Sequence, residues 1–335
     1  MHSLILSMEY ATRTYYRKED LPELPDTRFY HCASFFDWYG NISYYRPLMI
    51  VAFDADNRPL AAMSALIMRI NRFLYGSAFK RCYVSQIPAY FDESVSQSEV
   101  FEALLGGLLK EVGNKVFFIE YRNLGNAIFG YKAFRENHFY SVKWINIRNS
   151  LRRKTGAWNQ LSRTRKNQIN KAKRKGATAE ELTTTEMLPE IYLLIEKAKK
   201  WKISNRFPPY RYFENFFNRY VQNGKGKIIL TRFQDKIIGG AIIGFEGKNA
   251  YCLYYWGKNK TYKLLNPSVF SIWAAMEIAS KSGYERFDFM DSGFLNENAG
   301  KPRFLLQFGG IQKATRRWYR INWQWLNFFA NKIYD

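Results

Sequence analysis

Residues 250–289, AYCLYYWGKNKTYKLLNPSVFSIWAAMEIASKSGYERFDF, contain the pattern that decides the fold: an apolar strand, a helix and a second apolar strand. Ala250–Trp256 is rich in aromatic residues, which favours a strand. Pro267 suits the first turn of a helix, and Gly283 suits its end. Between them the apolar residues recur at helical spacing: Val269, Phe270, Ile272, Trp273, Met276 and Ile278. The run Arg286–Phe289 then predicts the second strand.

The same order of elements occurs twice in the chain. In the second half, strands Lys227–Arg232 and Ile237–Phe245 form a predicted hairpin that precedes the stretch quoted above. In the first half the corresponding segments are strands at Leu48–Phe53, Leu60–Ile70 and Arg81–Ile87, a helix at Glu99–Val112 and a strand at Val116–Ile119. Two copies predict an α/β (α+β) fold of duplicated domains with mixed β-sheets flanked by helices. The alternative is that so common an order recurs by chance.

Composition excludes several classes of protein. The 335 residues are 47% hydrophobic and 18% aromatic, so the chain buries a core and is not disordered. Its length accommodates two domains of roughly 100–200 residues each. Cys32, Cys82 and Cys252 form no C-x-x-C pair, which argues against a disulfide framework or a cysteine zinc site and favours a reducing compartment. The first residues are too polar for a signal peptide or a membrane span, so we expect a cytoplasmic protein.

The chain is strongly basic, and much of the excess lies in one segment. Lys and Arg total 51 against 29 Asp and Glu, a formal charge of +22. A helix is predicted from Trp158 to Lys175, with a narrow apolar stripe that includes Leu161 and Ile169. Its candidate polyanion-binding residues are Arg163, Arg165, Lys166, Lys171, Lys173, Arg174 and Lys175. Such a face binds the phosphates of nucleic acid, a nucleotide-linked precursor or an anionic membrane; the alternative is a solvated helix face.

Further helices are predicted at residues 186–200 and 210–221, between the two copies. The C-terminal stretch from Arg316 to Phe329 mixes cations with large aromatic side chains, as a surface that contacts an anionic membrane would. Alternation at Tyr319, Ile321, Trp323 and Trp325 instead favours a half-buried strand, followed by a helix that packs on the first domain.

Four blocks of sequence carry a resemblance to a known family. They are SRTRKNQINKAKRKG at 162–176, NRFPPYRYF at 205–213, the strand, helix and Asp-containing strand of 250–289, and FLLQFGG at 304–310. In this order they resemble the FemABX peptidyltransferase family and the FemAB-like acyltransferases, which are tandem GNAT folds. The resemblance covers residues 150 to 312. It implies a first GNAT-like domain over residues 1–150, with 318–335 as a candidate addition to it. The second domain would span 151–317 and open with the basic helix.

The resemblance implies that an aminoacyl group moves from aminoacyl-tRNA, as a co-substrate, onto an amine of a nucleotide- or lipid-linked peptidoglycan precursor. No bound cofactor or metal is expected. By the family's pattern the precursor-binding residues are Arg206, Tyr210 or Tyr212, and Tyr254 or Tyr255. The arginine would hold a phosphate or carboxylate, and the tyrosines would hydrogen-bond and pack on sugar or peptide. The alternative for Arg206 is an ordinary surface arginine.

The chain departs from the family at two positions. Leu305 stands where the family has a lysine credited with stabilising the reacting carbonyl, and Lys301 and Arg303 are the nearby cations that could substitute for it. The phosphate-binding lysine of the family's first domain has no clear match after Trp38, and Arg46 is the nearest cation.

Asp288 is the third catalytic candidate. It alternates with Phe287 and Phe289, so if the phenylalanines enter the core, Asp288 lies on the opposite face of the strand. It would act there as a general base or orient the amine. The alternative is a structural aspartate that accepts N–H bonds from the loop that follows.

Two rival functions fit parts of the sequence. An acyl-CoA-dependent N-acyltransferase acting on a surface-glycan or lipid amine would keep the fold. It would carry a pyrophosphate loop of the form Q/R-x-x-G-x-G/A, whereas the loop Trp256–Lys263 contains one glycine. A non-catalytic RNA-binding protein would use the basic helix and the tyrosines as charge and stacking surfaces, but it leaves the duplicated core unexplained.

Overall fold

The computed structural model describes residues 10–25, 28–69, 80–123, 126–152, 156–199, 207–290, 292–294 and 300–334. Contacts divide the chain into two compact units, Met1–Val142 with Arg316–Asp335, and Lys143–Thr315. The first boundary was predicted between residues 150 and 151; in the structure it falls between Val142 and Lys143, inside the strand Tyr140–Ser150.

The elements of the first copy are β1 (Ala11–Tyr15), α1 (Ser34–Tyr39), β2 (Tyr45–Phe53), β3 (Pro59–Arg69), β4 (Lys80–Val84), β5 (Ala89–Tyr90), α2 (Gln97–Val112), β6 (Phe118–Asn123), α3 (Tyr131–Glu136) and β7 (Tyr140–Ser150). Those that follow are α4 (Ala157–Gln160), α5 (Arg163–Arg174), β8 (Thr178–Glu181), α6 (Leu188–Lys199), α7 (Tyr210–Phe216), β9 (Gly226–Phe233), β10 (Lys236–Glu246), β11 (Asn249–Gly257), α8 (Pro267–Lys281), β12 (Arg286–Asp288), β13 (Gly293–Phe294), α9 (Gly300–Leu306), β14 (Ile311–Ile321) and α10 (Gln324–Tyr334).

The sheet of the first unit has the strand order β1-β2-β3-β4-β6-β14. Its neighbours are antiparallel except β4 and β6, which are parallel and are joined by α2. Ser96 caps α2 by accepting the N–H of Glu99. The apolar face of α2, including Leu104 and Leu108, is fully buried in the core of this unit. A crossover helix of this kind is what a parallel pair requires.

The sheet of the second unit repeats this arrangement, with the order β8-β9-β10-β11-β12-β7. Again one pair is parallel, β11 with β12, and α8 joins its strands. The other pairs are antiparallel. The predicted duplication and the mixed sheets are therefore confirmed. In each unit the last strand of the sheet lies outside the repeated segment of that unit. The first unit is completed by β14, which follows the second copy in the chain. The second unit is completed by β7, which follows the first copy.

The structure differs from the predicted elements in three places. The single helix predicted over residues 158–175 is two helices, α4 and α5, because Leu161 is extended and the Ser162 hydroxyl caps α5 by accepting the N–H of Arg165. The helix predicted over 210–221 ends as an α-helix at Phe216 and continues as a π-helix to Val221. The strand predicted to reach Trp325 ends at Ile321.

A buried carboxylate fastens β14 to the first unit. Glu120 on β6 is 4% exposed and accepts hydrogen bonds from Arg122 at 2.8 Å and Arg317 at 3.0 Å, with Arg81 at 3.7 Å. Burial alone would raise the pKa of Glu120, but Arg122, Arg317 and Arg81 outweigh it and lower the pKa below 4.5. The ionised carboxylate therefore holds three strands, β4, β6 and β14, together.

Within the described residues, no helix is long and apolar enough to cross a bilayer. Cys32, Cys82 and Cys252 are all buried, and none of these three described cysteines forms a disulfide.

The Glu120→Gln substitution is expected to lower the free energy of unfolding by about 3 kcal/mol at pH 7, because the buried guanidinium of Arg317 would face a neutral side chain. The native pKa lies below that of the unfolded carboxyl, so this contribution is complete above about pH 5 and is lost as the pH falls further. Urea denaturation from pH 7 to pH 3 should therefore show a steeper loss for the wild type than for the variant.

The matched control is Glu136→Gln, which removes an exposed pair with Lys132. It should cost less than about 1 kcal/mol. Equal effects of the two substitutions would show that the Glu120 cluster does not hold the unit together.

Candidate active site

The centre of the second unit is the point where β11 and β12 stop pairing. Their parallel ladder runs from Asn249 opposite Arg286 to Tyr251 opposite Asp288. β11 continues to Gly257 beside β10, with a bulge at Leu253, because Ile242 pairs with Tyr254 and Ile243 with Cys252. A bulge inserts one extra residue into the strand, so the side chains beyond it point to the opposite faces from those that regular alternation would give. It places Tyr254 and Tyr255 at the end of the ladder.

The sequence left Tyr254 and Tyr255 as alternatives, and the structure puts them in different surroundings. Tyr254 lies beside α7, with ring centroids 5.5 Å from Phe213 and 6.3 Å from Tyr212. Tyr255 instead stacks on Phe304 of α9, at 6.1 Å, and packs against the core that includes α8. Burial raises the pKa of Tyr255.

The predicted substrate-binding tyrosines Tyr210, Tyr212 and Tyr254 belong to one aromatic cluster. Tyr192 of α6 joins it, with centroids 5.9 Å from Tyr210 and 5.8 Å from Phe213. Tyr212 is buried, whereas Tyr210 and Tyr254 are half-buried. The cluster therefore presents two partly exposed phenols that could hydrogen-bond a sugar or peptide. Arg206 lies outside the described residues.

Asp288 is 1% exposed and is surrounded by donors. Its Oδ2 accepts from Asn146 Nδ2 and from Nε and Nη2 of Arg148, each at 3.0 Å, and its Oδ1 accepts the N–H of Met290 at 2.7 Å. Burial raises the pKa of this carboxyl, and the Arg148 charge with the other donors opposes the rise. These contacts fit the structural alternative, in which Asp288 orders the turn at Met290 (φ 51°), better than a general base.

Helix α5 presents a basic outer face. Arg163, Lys171, Lys173, Arg174 and Lys175 are exposed, and Lys166 is half-buried, donating to the carbonyl of Asn159 at 3.2 Å. A surface depression of about 480 Å³ is lined by Asn167, Asn170, Lys173 and Arg174. Amide and cationic side chains at this spacing can hold phosphate groups along the helix.

Arg165, one of the predicted polyanion-binding residues, is not on that face. Its side chain is 5% exposed, and its guanidinium lies 4.3 Å over the Phe304 ring and 5.1 Å over Phe308. It donates to Gln168 at 2.7 Å and to the carbonyl of Phe304 at 3.2 Å. Burial lowers the pKa of Arg165 to about 10, so it stays charged at neutral pH. The prediction was wrong for this residue because it fills the position of an apolar residue on the buried face of α5.

The FLLQFGG block forms the packing partner of Arg165. Leu305 is fully buried in the core, so a side chain at this position does not reach solvent. Gly309 has φ 86°, and an added Cβ would meet the carbonyl oxygen of Gln160 at 2.3 Å. At Gly310 a Cβ would lie 2.5 Å from Ile147. Lys301 and Arg303 are exposed on α9. Their predicted role at the reacting carbonyl stays a prediction.

The N-terminus of α8 is closed by its own chain. The N–H of Ser268 donates to the Asn259 side chain at 3.1 Å, and the N–H groups of Val269 and Phe270 donate to the carbonyl of Asn266 at 2.9 and 3.1 Å. The proline at the first helical position has no N–H. The backbone donors that would cradle a phosphate at a helix N-terminus already have partners here.

The first unit contains a basic pocket of about 550 Å³, lined by Ser43, Tyr44, Tyr45, Arg46, Ile67, Arg69, Lys80 and Lys115. Arg46 lies 4.3 Å over the ring of Tyr16, whose hydroxyl donates to Glu111. Lys115 also pairs with Glu111. The pocket contains four cations, Arg46, Arg69, Lys80 and Lys115, and the nearby carboxylate is Glu111. The excess of positive charge suits the binding of an anion.

Comparison with known proteins agrees with this architecture. Residues 162–296, about two fifths of the chain, match the acetyltransferase (GNAT) domain family. FemX is similar in structure at 14% identity and a TM-score of 0.66, covering 92% of this chain and 95% of FemX. The chain has the FemAB-like tandem GNAT fold. With a GNAT acetyltransferase domain as its second unit, it is an acyltransferase.

Two other solved structures share the fold of this GNAT acyltransferase. L-PGS from Bacillus licheniformis is 12% identical with a TM-score of 0.56, covering 90% of this chain and 91% of its own. A tandem GNAT protein from the clavulanic acid biosynthesis pathway is 10% identical with a TM-score of 0.55, covering 91% of each chain. Comparison with curated protein sequences gives no match.

Two groups of residues in this acyltransferase were not predicted from the sequence, except for Arg46, which was named as the cation nearest to the family's phosphate-binding lysine. Asn146 and Arg148, the partners of Asp288, lie on β7, which precedes the second copy, and only their alternation on a strand could have marked them. The basic pocket collects Arg46, Arg69 and Lys80 from the ends of three strands. These residues are far apart in sequence, so no local pattern brings them together.

Gly309→Ala is expected to destabilise the acyltransferase by about 2 kcal/mol more than Gly283→Ala. Both glycines have positive φ, 86° and 89°, but a Cβ at Gly283 meets nothing within 4 Å. The difference therefore isolates the close approach of the FGG block to Gln160. Urea denaturation of the two variants measures it, and equal losses would show that backbone conformation alone requires the glycine.

Proposed function

We propose that this GNAT acyltransferase moves an aminoacyl group from aminoacyl-tRNA to an amine of a peptidoglycan or other cell-envelope precursor. The observation that carries the proposal is the contrast between two surfaces of the second unit. The outer face of α5 is cationic and exposed, whereas the N-terminus of α8 has no backbone donor left for a pyrophosphate.

The basic face of α5 fits a polyanionic donor better than a small one. Its five exposed cations span residues 163–175, and among them Lys173 is partly compensated by Glu277 at 3.8 Å. Successive phosphates along a nucleic-acid backbone can engage such a row, and each contact releases counterions. The charge of +22 over the whole chain strengthens the long-range attraction.

The closed N-terminus of α8 argues against acyl-CoA. A CoA pyrophosphate held at a helix N-terminus needs free N–H groups, or glycines that let the backbone approach it. In α8 the N–H groups of Ser268, Val269 and Phe270 are engaged by Asn259 and Asn266. Side chains from the loop would have to supply every phosphate contact.

The aromatic cluster of Tyr210, Tyr212 and Tyr254 supports the assignment of the acceptor. Tyrosines pack on sugar rings and peptide while their hydroxyls hydrogen-bond, so they suit a glycopeptide. The acceptor amine would attack the acyl carbonyl, and the bond from that carbonyl to the ribose oxygen of the tRNA would break. The departing oxygen takes up a proton, and the amine loses one. We place Lys301 and Arg303 near the developing oxyanion, as the resemblance implies.

The donor is tested by equilibrium binding of labelled aminoacyl-tRNA to the purified protein over a salt series, with acetyl-CoA as competitor. Binding should weaken steeply with salt and should resist acetyl-CoA. Lys171→Ala with Arg174→Ala should weaken it and reduce the slope of log K against log salt by about 1.5, for two lost phosphate contacts.

The matched control is Lys132→Ala with Lys18→Ala, which removes two exposed lysines of the first unit. It should leave the salt slope unchanged. Saturable acetyl-CoA binding with negligible tRNA affinity would overturn the proposal in favour of an acyl-CoA-dependent enzyme. Tight tRNA binding without transfer to any amine would favour the RNA-binding alternative.

The acceptor surface is tested with a nucleotide-linked peptidoglycan precursor by titration calorimetry. Tyr254→Phe removes one phenol of the cluster and should weaken binding roughly fivefold to tenfold, the value of one hydrogen bond. Tyr284→Phe is the control, because Tyr284 stacks on Phe245 at 4.0 Å, away from the cluster. Equal affinity of wild type and Tyr254→Phe would remove Tyr254 from the site.

A further inference from the structure

Helix α10 is attached to the first unit through its polar residues. The side-chain oxygen of Asn327 accepts the N–H of Ile321 at 2.9 Å, and its amide donates to the carbonyl of His138 at 2.8 Å. One turn later, Asn331 donates to the carbonyl of Asn327 at 2.9 Å and accepts from Arg135 at 3.5 Å. Asn327 is the buried residue of this helix. The inner face of α10 is therefore a polar stripe.

The outer face of α10 is apolar, the reverse of an ordinary surface helix. Trp325, Phe328, Phe329 and Ile333 recur at helical spacing and are 62%, 56%, 58% and 75% exposed. Trp323, just before the helix, is 47% exposed, and its ring also lies 5.1 Å from that of Phe117. Tyr334 is 53% exposed, but it stacks on Tyr140 at 5.4 Å and so belongs to the attached side of the helix. Of the eleven large apolar side chains exposed in the described residues, the four on the outer face and Trp323 make five. A group of exposed apolar side chains on so short a segment is typical of a surface that binds a membrane or another protein.

The charged side chain within this face is a cation. From Arg316 to Tyr334 the chain contains four cations, Arg316, Arg317, Arg320 and Lys332, and no Asp or Glu. Arg317 is buried against Glu120, so it does not contribute to the surface. Lys332 lies among the apolar residues, with its ammonium 4.6 Å over the ring of Phe328. Aromatic side chains next to lysine are typical of segments that lie in the headgroup region of an anionic bilayer.

We propose that the outer face of α10, together with Trp323, rests on the surface of an anionic phospholipid bilayer, with its aromatic rings among the headgroups and Lys332 against lipid phosphate. A second copy of this chain is a poorer occupant, because two basic surfaces would repel each other across the contact. The inference does not depend on the donor or the acceptor of the acyl transfer.

The test is co-sedimentation of the full chain with vesicles of phosphatidylcholine alone or with 30% phosphatidylglycerol. The protein should bind the anionic vesicles and release only partly at high salt, because the apolar contacts persist. Trp325→Ser with Phe329→Ser should weaken binding by about tenfold or more. Lys332→Glu should weaken it chiefly at low salt.

The control is Leu264→Ser with Ile311→Ser, which removes two side chains that are 57% and 72% exposed elsewhere. It should bind vesicles as the wild type does. Equal binding of the Trp325/Phe329 variant would overturn the proposal, since the basic surface alone would then suffice. So would sedimentation of the protein as a dimer that this variant dissociates, because a second copy would then cover the face.

Discussion

Each half of the molecule is organised by one pair of parallel strands joined by a helix. Two parallel neighbours cannot be connected by a tight turn, so the chain must cross the sheet, and the helix that crosses must bury an apolar face. Helix α2 does this for β4 and β6, and α8 does it for β11 and β12. In the second unit this constraint also locates the candidate site. The ladder ends at Asp288, and Tyr254 and Tyr255 follow on the strand that continues.

Buried ionic side chains fasten the peripheral segments to these two cores. Glu120 ties β14 to the first unit through arginines on three strands, and Asp288 ties β7 to the second unit through Arg148. Arg165 links α5 to the FLLQFGG block by stacking on two phenylalanines. Charges that look alike in the sequence thus divide into two groups. Those with fixed buried partners hold the fold, and those on the outer faces are available to a ligand.

The exposed groups form three separate surfaces, each with its own chemistry. The basic face of α5 fits phosphates in a row, the aromatic cluster at Tyr210 and Tyr254 fits a sugar or peptide, and the apolar face of α10 fits a lipid surface. An acyltransferase acting on a lipid-linked precursor would meet its acceptor at a membrane, so the α10 surface is compatible with the proposed function without being required by it.

The sequence by itself determined the repeated order of strands and helices, because apolar periodicity, Pro267 and the glycines at helix ends act locally. Through the family resemblance it also predicted Tyr210 or Tyr212, and Tyr254 or Tyr255, as substrate-binding residues, and it indicated the basic character of α5. The sequence also predicted that residues 318–335 add to the first domain. Only the tertiary structure decided that β7, which follows the first copy, completes the sheet of the second unit beside β12. It likewise decided that Arg165 is buried, that Asp288 is held by Asn146 and Arg148, and that α10 turns its apolar face outward. These outcomes depend on which neighbour a side chain meets, and residue type and spacing do not encode that.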